Sequence, residues 1–195
     1  MSILLISGSP SAPSSTGRLL DHVGDKLVAL GHRHHKIQVR DLPPKALLHV
    51  DCADLAIKRA LAAVAEADAI VIATPVYKAS FTGLLKSFLD LLPQDGLKGK
   101  LVLPLATGGS QSHMLALDYA LRPVLQALEA RQVLASIYAT SQQLSWNDVT
   151  GLSVDTAIAW RVQDGVDALA AGLRNRHQQP DEVFVAVPQP VRLAR

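Results

Sequence analysis

The chain has 195 residues, 49% of them hydrophobic and 18% charged, with a net charge of +2. That is enough apolar content for one domain with its own core, and too much for a disordered chain. A charge balance this even, with aromatics at 4%, leaves no basic patch for nucleic acid and no stacking platform for single strands. In chain order, the apolar run over 3–7 predicts a buried strand that stops at Gly8-Ser9-Pro10. Leu19, Leu20, Val23, Leu27 and Leu30 recur at helical spacing and predict a helix over 16–30, closed by Gly31. A second strand over 35–39, an alanine-rich helix over 55–67 and a third strand over 69–74 follow. Next come a helix over 84–92, begun after Gly83 and stopped at Pro93, and a fourth strand over 100–106. That strand ends at Thr107-Gly108-Gly109-Ser110, and a helix over 114–128, a fifth strand over 132–139 and a last helix over 154–173 complete the pattern.

Nearly all-apolar strands alternating with helices predict an α/β fold with a parallel sheet covered on both faces. Right-handed crossovers and five strands, with no second nucleotide-binding half, favour the flavodoxin-like order 2-1-3-4-5. The domain is expected over 1–175, and the stretch 176–195, polar at first and then carrying two prolines, as a flexible extension. Cys52 is the single cysteine, so no internal disulfide and no zinc spacing arise; it reads as a small apolar residue near a helix start. The N-terminus runs directly into a strand without a basic segment and an apolar stretch behind it, which predicts no signal peptide. No apolar run reaches the ~18 residues of a membrane span. A cytoplasmic protein with no membrane or nucleic-acid partner is the expectation.

In a sheet of this kind a ligand sits at the carboxyl ends of the strands, near the switch between strands 1 and 3. Unusual residues fall at the predicted ends of strands 1, 3 and 4. The first group is GSPSAPSSTGR, residues 8–18, where Gly8 permits a sharp turn and Ser9, Ser11, Ser14, Ser15 and Thr16 carry hydroxyls at the start of a helix. It is neither GxxxxGK[ST] nor GxGxxG, so it is not a P-loop or a dinucleotide fingerprint. The second is TPVYKASFTG, where Pro75 fixes φ, Tyr77 can lie beside a ring, and Ala79, Ser80 and Gly83 allow close approach. The third is ATGGSQSHM, whose Gly108 and Gly109 let the backbone pass next to a flat ligand. A valine at Gly108 is accordingly expected to crowd such a ring. Each group alone reads equally well as a capped turn; the coincidence on one sheet edge is what points to a site.

Pro123 lacks an N–H, so the carbonyl of Tyr119 loses its bond four residues on, and the helix there is expected to kink or widen, a π-bulge being one way. His32, His34 and His35 read as a surface junction rather than metal ligands, and His113 is the one histidine placed beside a candidate loop.

GSP at the first strand end, TPVYKASFTGLLKSFLDLLP, GKLVLPLATGGS and LALDYALRPVL resemble the NAD(P)H-dependent FMN reductases, and within them the reductases of two-component alkanesulfonate monooxygenase systems. The resemblance covers roughly residues 1–140. It implies that Ser9, Ser11, Ser15 and Thr16 hold the FMN phosphate, that Pro75, Val76 and Tyr77 line the isoalloxazine edge, and that Thr107, Gly108, Gly109 and Ser110 approach the ring from the other side. It also implies that Tyr119 packs across a homo-oligomer interface, dimer or tetramer, toward a partner's flavin. Relatives often carry an arginine where Ser11 stands, so a charge-assisted phosphate contact is missing here; Arg18 is a candidate substitute. Hydride transfer from NADPH or NADH to FMN asks for no protein acid, base or nucleophile, which agrees with the absence of any triad motif. Reduced FMN would then pass to an FMNH2-dependent alkanesulfonate monooxygenase. The competing readings are a flavin-retaining quinone or azo reductase of the same fold, a non-enzymatic flavodoxin-like electron carrier, and a phosphate-binding module.

Overall fold

The structure, a computed structural model, describes residues 1–178, so the expected C-terminal extension lies, from 179 onward, outside the described residues. The chain opens with β1 (Ile3–Ser7), α1 (Ser15–Ala29) and β2 (His34–Gln38). A 3-10 turn, α2 (Pro44–Leu48) and α3 (Leu55–Glu66) lead into β3 (Ala69–Tyr77), β4 (Ser80–Phe81) and α4 (Gly83–Leu89). β5 (Leu101–Gly108) is followed by a π-helical segment, Leu117–Leu121, that runs into α5 (Arg122–Ala127). β6 (Gln132–Val133), β7 (Ile137–Thr140), the hairpin β8 (Leu144–Asn147) with β9 (Gly151–Val154), and α6 (Thr156–Gln178) follow.

The strands run parallel in the order β2-β1-β3-β5, with β6 and β7 on the outer side of β5, which is the predicted 2-1-3-4-5 arrangement. The sheet has 7 strands rather than five, because the predicted fifth strand is split and β4 folds back antiparallel on β3. The split has a cause on the neighbouring strand. Leu134 donates its N–H to the Val102 carbonyl at 2.8 Å. In a parallel ladder the return bond to the Leu134 carbonyl would come from the N–H of residue 104. Residue 104 is proline, which has none. Pairing lapses there and resumes with Ile137 opposite Leu105, one residue out of step with Val133 opposite Val102.

Alternation sorts the sheet into two cores. Leu4, Ile6, Ile70, Ile72 and Val102 pack with Ile57 and Val64 of α3, Phe88 of α4, and Leu117, Leu121 and Leu125 along the π segment and α5. Ile3, Leu5, Val71, Leu103 and Leu105 pack on the other face with Leu19, Val23 and Leu27 of α1 and Ile158, Val162 and Leu169 of α6. The helix bounds follow local chemistry. Ser14 caps α1 by accepting the Gly17 N–H at 3.0 Å, and Asp54 caps α3 through the Ala56 and Ile57 amides.

β3 does not stop at Thr74-Pro75 as its sequence suggests but continues to Tyr77. The Ala73 carbonyl points toward β1, where it accepts from Gly8 at 2.7 Å. Pro75 has the same parity, and β1 has already ended at Ser7, so its missing N–H takes nothing from the ladder. The strand then turns into β4 through Lys78 and Ala79, both with positive φ, +50° and +62°. Left-handed backbone costs a non-glycine residue about 1–2 kcal/mol, while glycine gives back about 0.5–1 kcal/mol in entropy. Ala79→Gly is therefore expected to stabilise the protein by about 0.5–1 kcal/mol. Urea titration checks this, and a loss of stability would show that the turn carries no strain.

The widening predicted from Pro123 is present as π helix. The Arg122 N–H donates to the Leu117 carbonyl five residues back. With π spacing the Tyr119 carbonyl faces Val124 instead of the proline. Asp118 and Arg122 pair across the segment at 3.2 Å. The β8–β9 hairpin was not foreseen; it reaches back over α1, where the Trp146 ring covers the Arg18 guanidinium at 4.1 Å.

Candidate functional site: a cleft at the strand ends

Ser7 faces Ala73 and Pro75 faces Thr107 in the sheet register, so the segments that leave β1, β3 and β5 emerge side by side. Buried hydroxyls tie them together. The Thr82 Oγ1 donates to the Gly8 carbonyl at 2.7 Å and accepts the Leu85 N–H at 3.2 Å, capping α4. The Thr82 N–H in turn donates to Thr74 Oγ1 at 3.1 Å. On the other side Thr16 and Thr107 share a hydrogen bond of 2.5 Å between their hydroxyls, joining the first turn of α1 to the end of β5. Gly8 is required for contact rather than for its turn: its φ is not left-handed, and a Cβ there would stand 2.7 Å from the Leu85 Cβ.

Between these loops lies an open cleft of about 330 Å3, within the ~300–1,000 Å3 range of small-molecule sites. It gathers Ser9, Ser11, Ser15 and Thr16 from the first group, Pro75, Val76 and Tyr77 from the second, and Thr107, Gly108 and Gly109 from the third. The predicted residue Ser110 stands outside the lining. Its hydroxyl accepts the Ser112 N–H, and its carbonyl accepts from the Tyr138 hydroxyl at 2.6 Å. His113 is exposed and also does not line the cleft. Arg18 is held on Trp146 and does not line it either.

Pro13, Ser14 and Ser141 complete the lining. The Ser141 N–H donates to the Gly108 carbonyl at 3.0 Å, and Tyr138 lies buried behind the same loop. Burial pushes the Tyr138 phenol up from its usual value. It therefore remains a donor at neutral pH. Tyr138 also explains why residue 108 is glycine. An added Cβ would overlap the Tyr138 hydroxyl oxygen, far inside van der Waals contact. A side chain at 108 would therefore also clash with Tyr138 behind the loop. Ser141 and Tyr138 sit on or after β7, far along the chain from the glycine loop, and only the sheet register brings them to it.

Among the described residues the lining carries no cationic or carboxylate side chain. Its donors are hydroxyls and the first amides of α1. Because Ser14 satisfies Gly17, the amides of Ser15 and Thr16 have no partner within the helix, and the helix dipole points its positive end at them. These groups fit a phosphate ester, with no carboxylate among the lining residues to repel a dianion. The prolyl and glycyl backbone opposite fits the edge of a flat ring.

The family model for NADPH-dependent FMN reductase matches residues 1–145. An FMN reductase (NADPH) from Pseudomonas putida is 42% identical over 177 residues, covering 90% of each chain. An FMN reductase (NADPH) from Escherichia coli is 42% identical over 144 residues, covering 74% of this chain and 75% of its own. The apo crystal structure of the NADH:FMN oxidoreductase EMOB superposes with a TM-score of 0.80 at 42% identity, over 88% of this chain and 89% of that one. A hydroxyl-rich helix start and an open strand-end cleft thus coincide with this match: the chain belongs to the NADPH-dependent FMN reductase family, oxidoreductases whose substrates are FMN and NAD(P)H.

Proposed function

We propose that the strand-end cleft is where FMN is held for reduction, and that the reduced flavin is released to an FMNH2-dependent alkanesulfonate monooxygenase. The observation that carries the site is the convergence of hydroxyl-rich, proline-tyrosine and glycine loops on one cleft whose described lining bears no charged side chain. In this reading Ser9, Ser11, Ser15 and Thr16 bond the phosphate, joined by the Ser15 and Thr16 amides. Pro75, Val76 and Tyr77 flank the ring on one side, and Thr107 with the Gly108-Gly109 backbone on the other. Ser110 acts from behind, as the carbonyl through which Tyr138 fixes the loop. The flavin supplies the hydride-accepting ring, and the chain supplies position. A site made of neutral donors holds FMN less firmly than one with a cation in contact, which suits a flavin that must leave. The pairing with an alkanesulfonate monooxygenase rests on the motif resemblance described above.

A homotetramer, or a dimer, built across the π segment is part of the same proposal. Tyr119 is 79% exposed, with Met114 and Leu115 also exposed beside it. A second copy would cover them and place Tyr119 as a gate toward its flavin. Deleting Tyr119 is expected to restore regular α spacing, change the oligomer and slow flavin release. A deletion variant with unchanged sedimentation and unchanged FMN affinity would remove the gate. No helix among the described residues is long and apolar enough to cross a membrane; a cytoplasmic site of action fits the proposed partner.

NADPH oxidation by flavin-free protein tests the whole reading. Turnover that requires added FMN and saturates in it is the expected result. Oxidation by a protein that keeps its flavin and needs a quinone or azo acceptor would replace the release step with a retained-flavin mechanism.

A further inference from the structure

Among the described residues the cleft lining has no cation, yet an FMN phosphate brings close to two negative charges at neutral pH. A cation does reach the loop from outside. Arg40, in the 3-10 turn after β2, donates from Nη1 to the Ser11 carbonyl at 2.6 Å. Ser11 lines the cleft, so the guanidinium stands one residue behind its wall. The Arg40 side chain is only 21% exposed, and a charge so placed is screened less by salt than a surface lysine. Among the described residues its ion-pair partner is Asp41, at 3.4 Å from Nε and itself well exposed. The other nearby candidate, Arg18, is committed to the Trp146 ring.

We infer that Arg40 is the counter-charge for the flavin phosphate, acting through and alongside the Ser11 peptide, and that it makes the cleft select phosphorylated flavin over riboflavin. This rests on the cleft being the FMN site. The fork geometry lets one guanidinium hold the loop by Nη1 while its charge faces the phosphate region. A lysine on the loop itself would fill the cleft; an arginine behind it leaves the volume free. Asp41 offsets part of that charge and so weakens the hold on FMN.

The test measures Kd for FMN and for riboflavin by flavin fluorescence in three variants. Arg40→Gln keeps a donor for the Ser11 carbonyl but removes the charge. It is expected to weaken FMN binding on the order of tenfold, the low end for a charge-assisted contact, with riboflavin unchanged. Arg40→Lys keeps the charge and should retain most of the preference for FMN. Asp41→Asn should tighten FMN by about two- to threefold with no effect on riboflavin. Equal loss for both flavins in Arg40→Gln would make Arg40 a loop prop and overturn the charge role. So would Arg40→Lys behaving like Arg40→Gln, or an FMN affinity indifferent to Asp41→Asn. Failure of the unaltered protein to bind either flavin would instead remove the site assignment on which the inference stands.

Discussion

Gly108→Ala is expected to cost about 3 kcal/mol, summing an overpacking penalty of roughly 1–3 kcal/mol and about 1 kcal/mol for the Tyr138–Ser110 bond it disrupts. The methyl group has nowhere to go. It would overlap the Tyr138 hydroxyl, and Tyr138 is itself buried and bonded to the Ser110 carbonyl. Either the phenol is driven out or the 107–110 loop moves, and FMN affinity falls with it. The cause can be isolated. Tyr138→Phe alone loses one hydrogen bond, about 1 kcal/mol. In the double variant the nearest remaining ring atom is the Cζ at 3.2 Å, a contact that small shifts relieve. The pair should therefore be strongly non-additive, with the double variant more stable than Gly108→Ala by at least about 1 kcal/mol. Strict additivity in denaturant midpoints would show that the two residues do not meet.

Thr82→Val conserves shape and removes one oxygen, yet it should be among the most damaging single changes near the cleft. The Oγ1 satisfies the buried Gly8 carbonyl and caps the Leu85 amide. Leaving the carbonyl unpaired costs roughly 1–3 kcal/mol and losing the cap about 1 kcal/mol. A total of about 3 kcal/mol corresponds to a fall in Tm of roughly 6–12 °C for a chain of this size. Thr82→Ser keeps the hydroxyl and should keep most of the stability. A valine variant that melts with the parent would mean that Gly8 and α4 are held together by packing of Leu85 alone.

Much of the architecture was legible because buried parallel strands are written as unbroken apolar runs. The order of the strands, the hydroxyl-rich start of α1 and the coincidence of three loops at one edge all follow from that reading. The π segment was legible from one residue, because the missing N–H of Pro123 leaves a carbonyl that must find another donor. The same logic applied to Pro104 would have foretold the break between β6 and β7, but a proline inside an apolar run looks like a strand residue until its neighbour is known. Pro75 misled in the opposite sense. A proline after a strand reads as its end, and only the early termination of β1 shows why the strand continues. The β8–β9 hairpin has short, mixed strands whose signal is weak without the α1 surface beneath. Arg40, Tyr138 and Ser141 support the cleft from segments distant in sequence, and no local pattern marks them.

The Thr16–Thr107 pair has a consequence of its own. Two hydroxyls 2.5 Å apart share a single proton between them, and either oxygen can be the donor. The other proton is then free to point elsewhere. Both side chains are buried against their neighbours and both line the cleft. Reversing the pair moves a donor from the α1 wall to the β5 wall by rotating two O–H bonds, while every heavy atom stays in place. The direction of this one bond thus decides which wall of the cleft carries the free hydroxyl proton, with the backbone at rest.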